Sequence, residues 1–407
     1  MHLNNKRILI CQPILYGING STMVTLELAQ KLNEMSEVTV YTTIQDSPAR
    51  EIFSEKNIKV VTFEDDPDFK LEDFDIIWVH SQIMPKSIIR DMKRLKDVKK
   101  PPLFIFLHMS PLENFSDERP WIYDFENRIA DKVLCISEEV KDVIKPYLKH
   151  DIEFFRNPAP DSYIIERKEA KALEKVLIVS SHCPEEVMKA KMILENDYNI
   201  EVKLLGEKGE YRVITPELIE DYDALITIGK TVQTCLLSNT PVYIYDYFGG
   251  DGYLDQKNYE SNKRTNFSGR NNRTQKSGEE IAKEIVEGYS NCYKYLYANK
   301  KAFKEEYSLS KSLERIFRDI KLNKKQSFDD NYIRYVEAIQ DLARHHIYYG
   351  SYAAYKQKVK NYSIMQENEE LIRKNNELYD EINGIKNSKT YRFARKLSAI
   401  IRGKKKG

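Results

Sequence analysis

Residues 221–270 read DYDALITIGKTVQTCLLSNTPVYIYDYFGGDGYLDQKNYESNKRTNFSGR. Ala224–Ile228 is an apolar strand that stops at Gly229, and Lys230, Thr231 and Gln233 open a short helical run. A second strand, Val242–Asp246, runs into a glycine-rich loop with Gly249, Gly250 and Gly252, followed by Ser268, Gly269 and Arg270. A strand ending in a small residue, a cation and a hydroxyl at a helix start suits an anionic ligand. Backbone N–H groups and the positive helix end face the anion, and Lys230 adds a full charge. We read it as a nucleotide-sugar diphosphate site. The plainer alternative is a strand–turn–helix whose Lys230 is solvated. Gly-Lys-Thr here lacks the upstream glycine of a Walker A loop.

The same alternation runs through the first half. Arg7–Pro13 is a buried strand, followed by a loop with Gly17, Asn19 and Gly20 and a helix, Ser21–Asn33, with Val24, Leu28 and Leu32 on one face. Glycine in that loop lets backbone approach a ligand closely. Strands at Glu37–Thr43, Lys59–Phe63, Asp75–His80, Leu103–His108 and Lys132–Ser137 alternate with helices at 48–56, 85–96, 121–130 and 138–148. Near-continuous apolar strands separated by helices make a parallel sheet covered on both faces. Ligands bind at the carboxyl ends of such strands, which puts the Gly17–Gly20 loop, His80 and His108 on one rim. From position alone, His108 and His80 can each hydrogen-bond a sugar hydroxyl or phosphate, or close a strand structurally. Asn157-Pro158-Ala159-Pro160 is an extended break, and the hinge falls between it and Leu173.

The alternation restarts at Lys175–Ser181 and continues through a helix at 184–194 and strands at Glu201–Gly206, Ala224–Gly229 and Val242–Asp246. Ser277–Tyr289 is a helix opened by a capping box, Ser277 with Glu280. Two α/β domains joined by a proline-marked hinge make a cleft, a natural place for a nucleotide-sugar and an acceptor.

At 407 residues the chain holds two domains and an extension. A net charge of +1 gives no field that would gather nucleic acid. The tyrosine count of 27 exceeds what a core needs, so some should line a groove. Five scattered cysteines, at 11, 135, 183, 235 and 292, show no metal spacing and fit a reducing cytosol. The start, MHLNNKRILI, has too short an apolar run for a signal peptide, and no stretch has the length of a transmembrane helix.

The order of these pieces resembles the GT-B glycosyltransferases, nearest to retaining glycosyltransferase family 4, over roughly residues 7–290. CQPILYGINGSTMVTLELAQKL looks like that family's first strand, glycine loop and helix. FIFLHM looks like the strand whose terminal histidine contacts the donor sugar. DKVLCISEEVKDVI and RNPAP resemble the last elements before the hinge. KVLIVSSHCPEEVMKAK stands where the second domain starts, and DYDALITIGKTVQTCLLSNTPVYIYD where the donor loop and helix lie. The paired-glutamate motif is missing: Gln233 and Thr234 stand where the ribose-binding glutamate is expected. His182 stands near the family's phosphate-binding arginine and Lys189 near its lysine, with Lys230 and Arg270 read as substitute cations. FGGDGYL…NFSGR looks like a bacterial branch linked to surface polysaccharide synthesis.

The resemblance implies a fold of two Rossmann-like domains. Residues 1–160 would bind the acceptor and 173–290 the nucleotide-sugar donor. It implies His108 as the catalytic, donor-orienting residue. Donor binding would fall to Gly17, Asn19, Gly20, His182, Lys189, Gly229, Lys230, Thr231, Gln233 and Arg270. It implies a metal-independent, retaining transfer with no cofactor, in which cations and helix ends stabilise the leaving diphosphate. Asp65-Asp66 sits in an acidic loop and reads as a solvated turn. The alternatives are a catalytically inactive scaffold and a nucleotide-sugar epimerase, which would need a carboxylate pair in the cleft.

Residues 291–358 read as a helical extension, the first helix, 293–320, crossing back onto domain one. In 359–388, Ile364, Leu371, Leu378 and Ile385 recur every seven residues, interleaved with Asn361, Asn368, Asn375 and Ile382. This seam suggests a parallel two-stranded coiled coil and a homodimer; the alternative is a helix packed on the body. The last stretch, Lys386–Gly407, carries nine Lys or Arg and no acid, with Tyr391, Phe393, Leu397, Ile400 and Ile401 at helical spacing. Such a tail can lie on an anionic membrane, each nearby cation contributing about 1 kcal/mol. The expected protein is cytoplasmic and peripheral on the inner membrane face. It would transfer sugar to a glycan or lipid-linked acceptor.

Overall fold

The structure, a computed structural model, describes residues 3–112, 122–167, 172–206, 209–318, 320 and 322–394. Seven strands, β1 (Arg7–Leu15), β2 (Glu37–Gln45), β3 (Lys59–Thr62), β4 (Ile76–His80), β5 (Leu103–His108), β6 (Lys132–Cys135) and β7 (Ile152–Phe154), form one sheet in the order 3-2-1-4-5-6-7, with all neighbouring strands parallel. The central strands are buried along their whole length, as their unbroken apolar runs require. Between them lie α1 (Gly20–Asn33), α2 (Ala49–Glu55), α3 (Lys86–Asp91), α4 (Tyr123–Ile129) and α5 (Glu138–Ile144). Strand order reverses between β1 and β4, so the loops after those strands splay apart and open a crevice.

The second sheet contains β8 (Lys175–Ser180), β9 (Glu201–Gly206), β10 (Ala224–Thr227), β11 (Val242–Asp246) and β12 (Gly249–Tyr253), ordered 12-11-10-8-9. Its reversal lies between β8 and β10. Around it pack α6 (Glu185–Asp197), α7 (Pro216–Glu220), α8 (Lys230–Ser238) and α9 (Tyr259–Arg264). The expected class, two Rossmann-like α/β domains followed by a helical extension, is what the chain adopts.

Two local readings are corrected. The glycine-rich loop after Asp246 is not a loop: Gly249–Tyr253 folds back antiparallel on β11. Glycine is required there because a Cβ on Gly250 would fall 1.9 Å from the Ile244 carbonyl oxygen. The helix expected over 277–289 is α10 (Gly278–Tyr307), 30 residues long and opened by the Ser277–Glu280 capping box. Its apolar stripe continues through Cys292, Leu296, Phe303 and Tyr307, so nothing ends it before Ser308. The segment that returns to domain one is therefore α11 (Leu309–Arg318), whose Phe317 ring lies 6.4 Å from Trp78.

The chain passes between domains twice, side by side. Ala159 N donates to Tyr307 O at 2.8 Å, and Leu309 N donates to Ala159 O at 2.9 Å. After α11, α12 (Asp330–His346) docks on domain one. Gln340 Nε2 donates to Gln82 O at 2.6 Å and its Oε1 accepts from Met84 N at 3.1 Å. All five cysteines are buried, and none is in a disulfide.

Residues from 348 form a separate unit. It holds α13 (Ala353–Asn387), on which Ile364, Leu371, Leu378 and Ile385 are all exposed, as a heptad seam on a single chain would be. Helix resumes at 389–394. The rest of the basic tail, with Leu397, Ile400 and Ile401, lies outside the described residues. No helix among the described residues is long and apolar enough to cross a membrane.

Candidate functional site

The carboxyl ends of strands from both sheets face one another across a cleft of about 550 Å³. Domain one supplies the loop after β1, Ser81 after β4, Met109 and Ser110 after β5, and Ile136 and Ser137 after β6. Domain two supplies Ser180–His182 after β8, Gly206 after β9, Ile228 and Gly229 after β10, and Asp246 at the end of β11.

Two helix N-termini meet here. Asn19 caps α1, its Oδ1 accepting from Thr22 N at 3.0 Å and its amide donating to Tyr16 O. Opposite, α8 starts at Gly229, whose φ of +63° and ψ of −134° suit glycine almost alone. No side chain caps α8; Val232 N donates to Gly229 O at 3.0 Å, and the first two residues of the helix, Lys230 and Thr231, line the cleft. A Cβ on Gly20 would lie 3.8 Å from Lys230 Cβ, which measures how closely the two ends approach.

Two positive helix ends and a lysine in one place require a negative partner, and the fold supplies it. Lys230 Nζ lies 2.8 Å from Glu27 Oε2 and donates to Pro158 O at 3.0 Å. Both side chains are nearly buried, 8% and 10% exposed. Burial pushes the Glu27 carboxyl above its ordinary range, and Lys230 pulls against that shift. Arg270 makes a forked pair with Glu139 of domain one at 3.2 and 2.6 Å. Nearby, Arg264 pairs with Asp142, and Ile18 N donates to the Tyr211 hydroxyl at 2.8 Å. These ties join the domains across the cleft.

A buried carboxylate, Asp246, faces the cleft from the second sheet. Ser180 Oγ donates to it at 3.0 Å while accepting from His182 N and Cys183 N, and Tyr247 N donates to it at 2.7 Å. Burial raises its pKa, opposed by the Tyr247 N–H and the Ser180 hydroxyl.

Of the residues expected at the site, Asn19, Gly20, His182, Gly229, Lys230, Thr231 and Arg270 come together around this cleft. Four do not line it. His108 is 1% exposed, and its Nε2 lies 2.9 Å from Glu126 Oε1, beneath the loop rather than at the cleft surface. Glu126 also accepts from Gln82 Nε2, so the histidine belongs to a buried polar cluster. Gln233, 1% exposed, contacts Asn266 at 2.8 Å and ties α8 to the 262–270 segment. Lys189 stands on the exposed face of α6, paired with Glu279. Gly17 lies in the loop after β1, at φ +67°. His80 is buried beneath the site, its Nδ1 2.6 Å from Gln12 Oε1, and burial holds its pKa down to about 3.

The sequence reading missed Glu27, Glu139 and Asp246. Glu27 had a signal: it lies three residues after Val24 on the buried side of α1, where a carboxylate needs a partner. Glu139 sits in an ordinary acidic first turn, so only the fold reveals its partner 131 residues away.

No family model matches the chain, and no curated protein matches it. Among solved structures it is similar to HepE of Anabaena in complex with UDP and glucose, at 12% identity over 77% of this chain and 99% of that one, with a TM-score of 0.46. It is also similar to a glycosyltransferase from Rickettsia africae, at 13% identity over 77% and 97% with a TM-score of 0.47. A putative UDP-N-acetylglucosamine 2-epimerase from Listeria monocytogenes matches at 11% identity over 80% and 100%, with a TM-score of 0.42. At such values the likeness says nothing of this chain's own ligand or reaction.

Proposed function

We propose that this protein is a glycosyltransferase that moves a sugar from a nucleotide-sugar donor to a glycan or lipid-linked acceptor. The observation that carries the reading is the cleft itself. The uncapped N-terminus of α8, with Lys230 and Thr231 on its first turn and Arg270 beside it, faces domain one across roughly 550 Å³. Breaking a glycosyl–phosphate bond places negative charge on the leaving diphosphate, and oriented N–H groups with nearby cations stabilise that charge. The first-turn amides of α8 would hold the diphosphate, and domain one would present the acceptor. We extend the proposal to a metal-independent, retaining reaction, to family 4 and to bacterial surface polysaccharide synthesis. On this reading α13 pairs two copies, and the basic tail holds the protein to the inner membrane face.

A specific observation favours a second reading, a non-catalytic scaffold: Lys230 and Arg270 already hold carboxylates, and His108 is buried. The epimerase alternative calls for carboxylates in the cleft, and Glu27 and Asp246 stand there. Calorimetry with UDP, GDP, dTDP and their common sugars separates these readings. Saturable binding with transfer to an added acceptor supports the transferase. Conversion of the sugar without an acceptor supports the epimerase. Failure of the folded protein to bind at millimolar ligand supports the scaffold.

A further inference from the structure

We propose that Glu27 and Glu139 are internal occupants of the diphosphate site, so that a nucleoside diphosphate binds by exchanging with two carboxylates of the opposite domain. This rests on reading the cleft as a diphosphate site, and it adds what sets the affinity there. Lys230 and Arg270 both line the cleft, from the start of α8 and from the segment that supports it. Each is held by a carboxylate from domain one, Glu27 on α1 and Glu139 on α5. A carboxylate and a phosphate compete for the same donors with similar geometry, and an arginine fork accepts either in a two-point pair.

The exchange has a consequence for selectivity. Displacing Glu27 leaves a buried carboxylate without its cation, and displacing Glu139 breaks a forked pair. Both costs are fixed by the protein, whatever the ligand. A ligand with one phosphate replaces one partner, whereas a diphosphate can replace both. The carboxylates therefore weaken every anion that displaces them, and only a ligand with two phosphates can re-pair both cations. Because they belong to domain one and the cations to domain two, the exchange also removes two ties across the cleft and leaves Arg264–Asp142 in place.

Around Glu27 the charged and titratable neighbours are Lys230 from α8 and Tyr163 from the hinge turn, whose hydroxyl donates to Ile214 O. No second cation acts on Glu27 among the described residues, so it depends on Lys230 alone.

The test titrates UDP, GDP and dTDP into the full-length protein, Glu27→Gln, Glu139→Gln and a control, Glu314→Gln, whose exposed carboxylate pairs with Lys311 on α11. Circular dichroism and melting establish that each variant is folded. The diphosphate that binds the native protein should bind Glu27→Gln and Glu139→Gln about fivefold tighter or more, a typical coupling for linked equilibria, and Glu314→Gln unchanged. Should Glu27→Gln not fold, the more exposed Glu139 variant decides. Equal or weaker binding by a folded variant, with the native protein binding normally, overturns the exchange and leaves the donor-site reading standing. Failure of all three diphosphates on every protein overturns both.

Discussion

Lys230 on the first turn of α8 holds Glu27 of α1 at 2.8 Å, so one ion pair joins the two helix ends that face each other across the cleft. Removing one partner of a buried pair costs far more than the pair contributes, because the other charge stays buried and uncompensated. Lys230→Ala should therefore lower unfolding free energy by about 3–5 kcal/mol at neutral pH. Glu27 would then feel burial without an opposing cation, and its folded pKa would stand above its unfolded one. Such a group is charged at cost above its folded pKa and is neutral below it. The deficit should shrink as pH falls from neutral toward the ordinary carboxylate range. Urea denaturation of both proteins at several pH values checks this, and a constant deficit would contradict it.

Gly229 holds a conformation open almost only to glycine, and a Cβ there meets no atom within 4 Å. Gly229→Ala should cost about 1–3 kcal/mol from backbone strain alone. It should also weaken any ligand held by the first turn of α8. Denaturation and calorimetry on one preparation read both effects, and an unaffected stability would show that the backbone tolerates the side chain.

The buried Gln340 satisfies a carbonyl and an amide of the 82–84 segment. Gln340→Ala leaves both unpaired, at a cost of about 1–3 kcal/mol. Hydrogen exchange should rise at Met84. Unaltered protection at Met84 would mean that α12 does not clamp this segment.

His80 is held neutral, with its pKa near 3 against an ordinary 6.5. The unfolded chain takes up a proton in that window and the folded one does not. The stability this histidine confers is complete above 6.5 and lost as pH falls through the window. His80→Gln should flatten the acid limb of the stability profile. An identical limb would place the acid sensitivity elsewhere.

The exposed heptad of α13 predicts self-association. Sedimentation should show a dimer for the full chain and a monomer for a form ending at Ile347. Asn368→Ile with Asn375→Ile should strengthen association and loosen its stoichiometry, since buried asparagine restricts partner number. Identical sedimentation of the full and shortened forms would exclude the seam.

The parallel strands were legible because burial on both faces leaves unbroken apolar runs, as in Phe104–Leu107 and Val242–Tyr245. β12 was not, because GGDGY carries no apolar alternation and is recognised only by its pairing with β11. The end of α10 was misread because tyrosine and lysine alternate there without a breaker. Within the site, Gly229, Lys230 and Arg270 announced themselves by residue type and local context. Their partners did not, since Glu27 and Glu139 lie more than a hundred residues away and resemble any surface glutamate. His108 shows the converse limit: a strand-end histidine reads alike whether it faces a ligand or, as here, a buried Glu126.

The two crossings at Ala159 and Ser308 run as adjacent bonded segments, not as separate tethers at opposite ends of the interface. A body suspended from two neighbouring points keeps one easy movement, swinging about the line on which they lie. Sliding and twisting would stretch one crossing against the other. The two neighbouring crossings thus favour one angular movement over others for opening the cleft, a movement that would draw the carboxylates of α1 and α5 away from their cations together.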